Sequence, residues 1–346
     1  MAGNRWRFEL FSFDFAFGAL AFALLSSYTL GSAGTDLGFS ENLMLASRTN
    51  QAVAFAAGCL FAFGNMLLLA AIALLGLSFA YALATSAALL MLAAVEFNGE
   101  RALFLGLAAA AALLVIIVQA RGASQGEATL PAASLPVPVV RKSTSGRAGK
   151  SKPEAGMKNS SKGIIVAIIG GLALGGVFPP LRSSLFGQFG LGAYAGLVLF
   201  ASGVLTATLF LNLYFMNFPV QGGSVGLSAY LRGKVGQHLL GIVGGALCAA
   251  GVLALSLLNA FPADVQPSSW ALSAAALGAG VLALGLGISV WRELAQSPGS
   301  VMRSVLIGAL FVLVAIGSFA LAMEKVPAPP QAPQQIGVLP HTQFPG

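Results

Sequence analysis

Charge is scarce in this sequence. Of 346 residues only 18 are Lys or Arg and 11 are Asp or Glu, 8% in all, where a soluble domain carries about 25%. A chain of this length folded in water needs far more polar surface to cover its core. Cysteine and histidine are scarcer still, with two of each. Two cysteines build no disulfide framework, and two histidines supply no histidine-rich metal site. The apolar runs hold no paired carboxylates, no HExxH pair and no serine–histidine set. That argues against an enzyme and leaves no catalytic residue, metal or cofactor to name. These shortages exclude a soluble enzyme and an all-polar disordered chain. What is abundant is apolar: 57% of the residues are hydrophobic, 43 are Gly, and the mean hydropathy is +0.86.

A helix needs about 20 mostly apolar residues to cross a hydrocarbon core of roughly 30 Å. Nine stretches qualify: Phe8–Leu30, Ala52–Leu75, Ser78–Val95, Ala102–Ala120, Gly163–Phe178, Gly190–Phe215, Val235–Asn259, Trp270–Trp291 and Val305–Met323. They are rich in Leu, Ala and Gly and lack period-2 alternation, which favours helices over barrel strands. The first follows Arg5 and Arg7, as a secretory signal would. Its apolar core exceeds the about 7–15 residues of a signal, so it reads as a retained span. The expected fold class is an all-α polytopic membrane protein with nine transmembrane helices.

Composition changes sharply between Arg121 and Lys162. Pro131, Pro136, Pro138 and Pro153 fall there, with eight of the eighteen basic residues: Arg121, Arg141, Lys142, Arg147, Lys150, Lys152, Lys158 and Lys162. Such a segment cannot bury apolar area and reads as a flexible, disordered linker. The positive-inside rule puts it in the cytoplasm. Arg5, Arg7, Arg232, Lys234, Arg292 and Arg303 then share its side, against Arg48, Arg101, Arg182 and Lys325 outside, with Asp36, Glu41, Glu100 and Asp264. The net charge of +7 reads as this topology signal plus attraction to anionic lipid. No aromatic interleaving or fold motif makes nucleic acid a partner. The expected organisation is a four-helix repeat over 1–120, the basic linker over 121–162, a five-helix repeat over 163–324, and a Pro-rich disordered tail over 325–346.

Four landmarks recur in order on either side of the linker. Gly58 and Gly64 on the second span match Gly245 and Gly251 on the seventh, Glu96 and Glu293 close the third and eighth, and Arg101/Gly106 matches Arg303/Gly308. Aligned this way, the first half is one helix short of a balanced five-and-five repeat. An odd number of spans per repeat inverts the second copy, which is the plan of many carriers. The alternative is a genuine four-and-five count with an accidental glycine match.

The runs RWRFELFSFDFAFG (5–18), AAGCLFAFGNMLLLAAIALLGLSFAYALATS (56–86), and LFLNLYFMNFPV followed by YLRGKVGQHLLGIVGGALCAAG resemble bacterial members of the drug/metabolite transporter superfamily. The nearest branch is that of the ureide permeases and the glucose/ribose-uptake proteins. The resemblance covers the spans but neither linker nor tail. It implies two inverted five-helix repeats in the cell (inner) membrane, a small-molecule substrate, and a first helix before the WRFELF segment that this chain lacks. It leaves a homodimer open. Plant relatives carry a phosphate-loop-like motif in the central loop; here Thr144 stands where such a loop needs Gly, six residues before Lys150, so the stretch reads as linker composition.

A carrier must offer polar groups at mid-depth. Asp14, well inside an apolar helix, is the candidate for proton or ion coupling, because an unpaired carboxylate there costs several kcal/mol, about 2.5–3.5 on insertion scales. Alternatively the helix starts later and Asp14 sits at the interface beside Glu9. The substrate-binding candidates are Asn65, Tyr81, Thr85, Ser86, Ser202, Thr206 and Asn212. Ser202 and Thr206 share a face. Each hydroxyl has the alternative of bonding its own helix's i−4 carbonyl, and Asn65 that of pairing with a neighbouring helix. Glu96 and Glu293 read as turn anchors, and His238 as an interfacial residue. Together these groups suit a secondary-active permease moving a small neutral polar metabolite, such as a sugar, ureide or nucleobase, by alternating access. The alternatives are an exporter of amino acids or drugs, or a truncated, non-transporting membrane subunit.

Overall fold

The computed structural model describes residues 7–33, 37–97, 99–129, 159–185, 189–220, 223–260, 279–280, 282–290, 293–294 and 297–323. Among these, eight helical segments are long and apolar enough to cross a membrane. They are built from α1 (Phe8–Thr29), α3 (Arg48–Leu75), α4 (Leu77–Val95), α5 (Ala102–Thr129), α6 (Asn159–Gly175) continuing into α7 (Phe178–Leu185), α8 (Ala193–Asn217), α10 (Val235–Ala260) and α11 (Gly299–Met323). The short helices α2 (Phe39–Leu45) and α9 (Ser228–Leu231) lie in connections. The chain is an all-α, multi-span membrane protein. Half of the expected span Trp270–Trp291 lies outside the described residues; 279–280 and 282–289 are helical.

Both ends of the expected linker are helical: α5 runs on to Thr129 and α6 starts at Asn159. Once nucleated, a helix extends one residue at a time, and no proline interrupts α5 before Pro131. Residues 130–158 and the tail from 324 are outside the described residues.

Inter-helix contacts use small residues, since lipid tails are as apolar as leucine and helices associate through close packing. Ala16, Ala23, Ala54, Ala70, Ala80, Ala87, Ala108 and Ala112 are fully buried, while Leu25, Leu103, Leu240 and Leu247 are among the exposed large residues. Helix α1 packs on α10 and α8, α3 on α8 and α6, α4 on α6 and α5, and α5 on α11. Four glycines bring backbones into direct contact in two of these seams. A Cβ on Gly18 would strike the Ile242 carbonyl, and one on Gly245 the Phe15 carbonyl, both between α1 and α10. Between α3 and α8, a Cβ on Gly203 would strike the Phe55 carbonyl and one on Gly58 the Phe200 carbonyl.

Helices α3 and α4 meet at Gly76, whose φ of 85° is a left-handed value that favours glycine. As N-cap of α4, Gly76 offers no side chain. Glu293 takes over: its carboxylate accepts the amides of Leu77 at 2.7 Å and Ser78 at 3.0 Å. An anion there also meets the positive end of the helix dipole. Sequence reading makes Glu293 a turn anchor; the structure has it anchoring another helix's turn. Glu293→Ala is expected to cost about 1–2 kcal/mol, read as a lower unfolding midpoint, with Glu293→Gln intermediate.

Candidate functional site

Two polar sites lie on the side of the bundle where α5 ends and α6 begins. The first joins α1, α9 and α10. Asp14 is 2% exposed. Its Oδ1 accepts the Tyr230 hydroxyl at 2.6 Å, and His238 Nδ1 lies 3.0 and 2.9 Å from its two oxygens. With the carboxylate ionised, the ring must carry its proton on Nδ1. The elements converge for local reasons. Leu10, Phe13 and Met216 pack with Val225, Ala229 and Tyr230, which pins the α8–α10 connection onto α1. The Tyr230 ring packs edge-on against both Phe13 (5.5 Å) and His238 (4.7 Å). Gly241 lets α10 approach, since a Cβ there would meet Asp14 Cβ.

On α1, Glu9 is fully buried and paired with Arg7 at 2.5 Å, and Arg7 also donates to the Gly223 carbonyl. Helix α8 is antiparallel to α1: Ser27 donates to the Tyr194 carbonyl at one end and Phe8 packs on Phe215 at the other. That register sets Asn212 beside the first turn of α1. Asn212 is fully buried, and neither amide atom has a partner among the described residues. Thr208, one turn earlier on α8, is also buried. Where α3 meets α1, the contact is aromatic, Phe61 on Phe15.

The Tyr230 phenol is pushed up from 10.0 to about 12, first by burial and then by its hydrogen bond to Asp14 and the carboxylate's charge. It stays a donor at any physiological pH. The folded form holds this proton more tightly than the unfolded one. The contact's stabilisation is therefore complete below pH 10 and drains away as pH rises from 10 to about 12. In tyrosinate absorbance titrations, the difference between wild type and Tyr230→Phe is expected to develop late, towards pH 12.

The second site is a cavity of about 100 Å³ between α4, α5, α11 and the residues Gly280 and Leu284. Ser78, Tyr81, Thr85 and Gln119 are its polar lining; Leu284, Val305, Ala309, Val312, Leu313 and Ile316 supply most of the rest. Ser78, Tyr81 and Thr85 fall on one face of α4 because they are three and four residues apart. Gln119 reaches across to α11, where Gly308 leaves room for its amide.

The sequence candidates distribute unevenly over these sites. Asp14 is buried in the first. Tyr81 and Thr85 line the second. Ser86 is buried with a hydroxyl that has no partner among the described residues, and it does not line the cavity. Asn65 is half-buried on α3. Ser202 and Thr206 donate to Val198 and Ser202 carbonyls at 2.7 and 2.8 Å, the self-satisfied alternative. On the other side of α8, Phe61 of α3 packs against Phe200 at 5.5 Å and against Phe15 of α1 at 6.4 Å. Sequence reading did not single out Tyr230, Ser78 or Gln119, and it took His238 for an interfacial residue. Gln119, the one amide in the run LLVIIVQA, was the legible signal.

Compared with protein-family models, with curated proteins and with solved structures, the chain matches none.

Proposed function

We propose that this protein is a secondary transporter that moves a small uncharged solute by alternating access, with Asp14 as its proton-coupling group. The observation that carries the reading is the exchanged glycine contact. Gly18 and Phe15 on α1 have their counterparts in Gly203 and Phe200 on α8. Gly58 and Phe55 on α3 have theirs in Gly245 and Ile242 on α10. In each seam the glycine of one helix lies on the backbone of its partner's earlier residue, and the reverse also holds. Helices α1 and α3 precede the linker, and α8 and α10 follow it. Each half therefore clasps the other twice in the same way. A pseudo-twofold axis in the membrane plane generates that pattern, and inverted repeats of this kind underlie rocking carriers.

Asp14 lies one turn before Gly18 in the α1–α10 seam, so a proton arriving there alters a contact between the halves. The sequence resemblance to drug/metabolite transporters supports the same reading. Orientation with the basic linker in the cytoplasm of a cell membrane follows from the charge bias. The test is purified protein in liposomes, with and without a proton gradient, offered sugars, ureides, nucleobases and amino acids. Saturable uptake or exchange of at least one is the expected result. A complete failure of all of them in both orientations overturns the reading.

A further inference from the structure

Two of the residues that line the cavity between α4, α5 and α11 carry a buried polar atom with nothing to bond among the described residues. Ser78 is 3% exposed and its Oγ has no partner among the described residues; Gln119 is 1% exposed and the same holds for its Oε1. Neighbouring donors are engaged. The Ser78 amide donates to Glu293, and Gln119 Nε2 reaches the Val305 carbonyl at 3.5 Å. The Gln119 amide cannot turn its oxygen elsewhere without giving up the Val305 contact. Burying such groups unpaired costs about 1–3 kcal/mol each, a penalty that an occupant of the cavity can remove.

We propose that this cavity is a binding site for a small, uncharged amphiphile: a short aliphatic body with an N–H or O–H donor, as in a carboxamide or primary alcohol. The chemistry follows from the lining. Gln119 Oε1 only accepts, so the ligand must donate to it. The Ser78 hydroxyl takes either role, so it matches a ligand carbonyl or hydroxyl. None of the lining residues is charged, and Glu293, the nearby carboxylate, is occupied in capping α4. An ionic ligand would be desolvated with no counter-charge, which is costly. The remaining wall is aliphatic. About 100 Å³ is less than the ~150 Å³ of an engineered cavity that takes benzene, which limits the body to a few carbons.

As the solute site of the transporter, the cavity rests on the reading above; as a binding site it does not. The test therefore measures binding directly, by saturation-transfer NMR on the full chain in phosphatidylcholine nanodiscs. Three probes of nearly equal size are compared: propionamide, its isomer N,N-dimethylformamide, which lacks an N–H, and propionate, which is charged. Propionamide is expected to bind saturably, and the other two at least about tenfold more weakly. Gln119→Leu and Ser78→Ala are each expected to weaken propionamide by about tenfold. Gln119→Leu should leave the unfolding midpoint unchanged or higher, because it removes an unpaired polar atom; a merely structural glutamine would give a lower one. Ala309→Leu, which fills the cavity, should abolish binding in a folded protein.

Absence of propionamide binding, equal binding of all three probes, or binding indifferent to Gln119 and Ser78 would each overturn the proposal. The two readings fail separately. Transport without this binding pattern removes the site and keeps the carrier. The binding pattern in a protein that transports nothing keeps the site and removes the carrier.

Discussion

On the proposed transporter reading, Asp14→Asn is expected to uncouple uptake from the proton gradient and to leave downhill exchange in place. Asparagine keeps the shape of the carboxylate and one acceptor oxygen for the Tyr230 hydroxyl, at 2.6 Å in the wild type, but it cannot bind or release a proton. One pH unit supplies about 1.4 kcal/mol per proton, a roughly tenfold accumulation at one proton per solute. In the variant that accumulation is expected to fall to none. His238→Gln keeps the carboxylate and removes the imidazole, so coupling should persist. Asp14→Ala is a different experiment. It strips Tyr230 and His238 of their shared acceptor and is expected to cost about 3 kcal/mol of stability. The value lies at the low end for a broken buried pair because the His238 side chain keeps 24% exposure. Solute accumulation by Asp14→Asn that still tracks the proton gradient would remove Asp14 from the coupling step.

Gly245→Ala and Gly58→Ala are expected to be among the most damaging single-methyl changes in the described bundle, and to be damaging to the same degree. A Cβ at either position lands on a carbonyl oxygen of the facing helix, Phe15 for one and Phe200 for the other. A backbone cannot turn aside as a side chain can. The helices must separate along the seam, at about 1–3 kcal/mol for the overpacking. Gly251→Ala is the control. Nothing lies within 4 Å of its Cβ position, and alanine is the better helix former by about 1 kcal/mol. The expected ranking of unfolding midpoints in one detergent is therefore Gly251→Ala at or above wild type, with the other two below it together. A large difference between Gly58→Ala and Gly245→Ala would break the equivalence of the two seams, and with it the argument for alternating access.

The glycine landmarks show how far sequence comparison reached. Gly58 and Gly245 do equivalent work. Gly64 meets Gly170 and Leu174 of α6, while Gly251 has open space around it, and Gly308 accommodates Gln119 while Gly106 meets nothing. Matching letters in matching order therefore identified the seams at one landmark and not at the others. Spacing along a chain fixes which face a residue occupies, whereas what lies opposite depends on the partner helix.

Span positions were legible because crossing a membrane demands a length and an apolar composition that any sequence must display locally. The eight described spans coincide with expected ones for that reason, and the scarcity of charge alone put the chain in lipid. The partners of the polar groups were not legible. Asp14 and His238 are separated by most of the chain, and only the close approach of α1 and α10 at Gly241 joins them. Ser202 and Thr206 looked like a binding face by spacing, and their own helix satisfies them. Ser78 and Gln119 drew no notice individually; they matter because three helices, Gly280 and Leu284 surround the cavity they line, and Ser78 Oγ and Gln119 Oε1 have no partner among the described residues. Hydrogen-bond satisfaction is a property of the assembled bundle, and the sequence alone does not carry it.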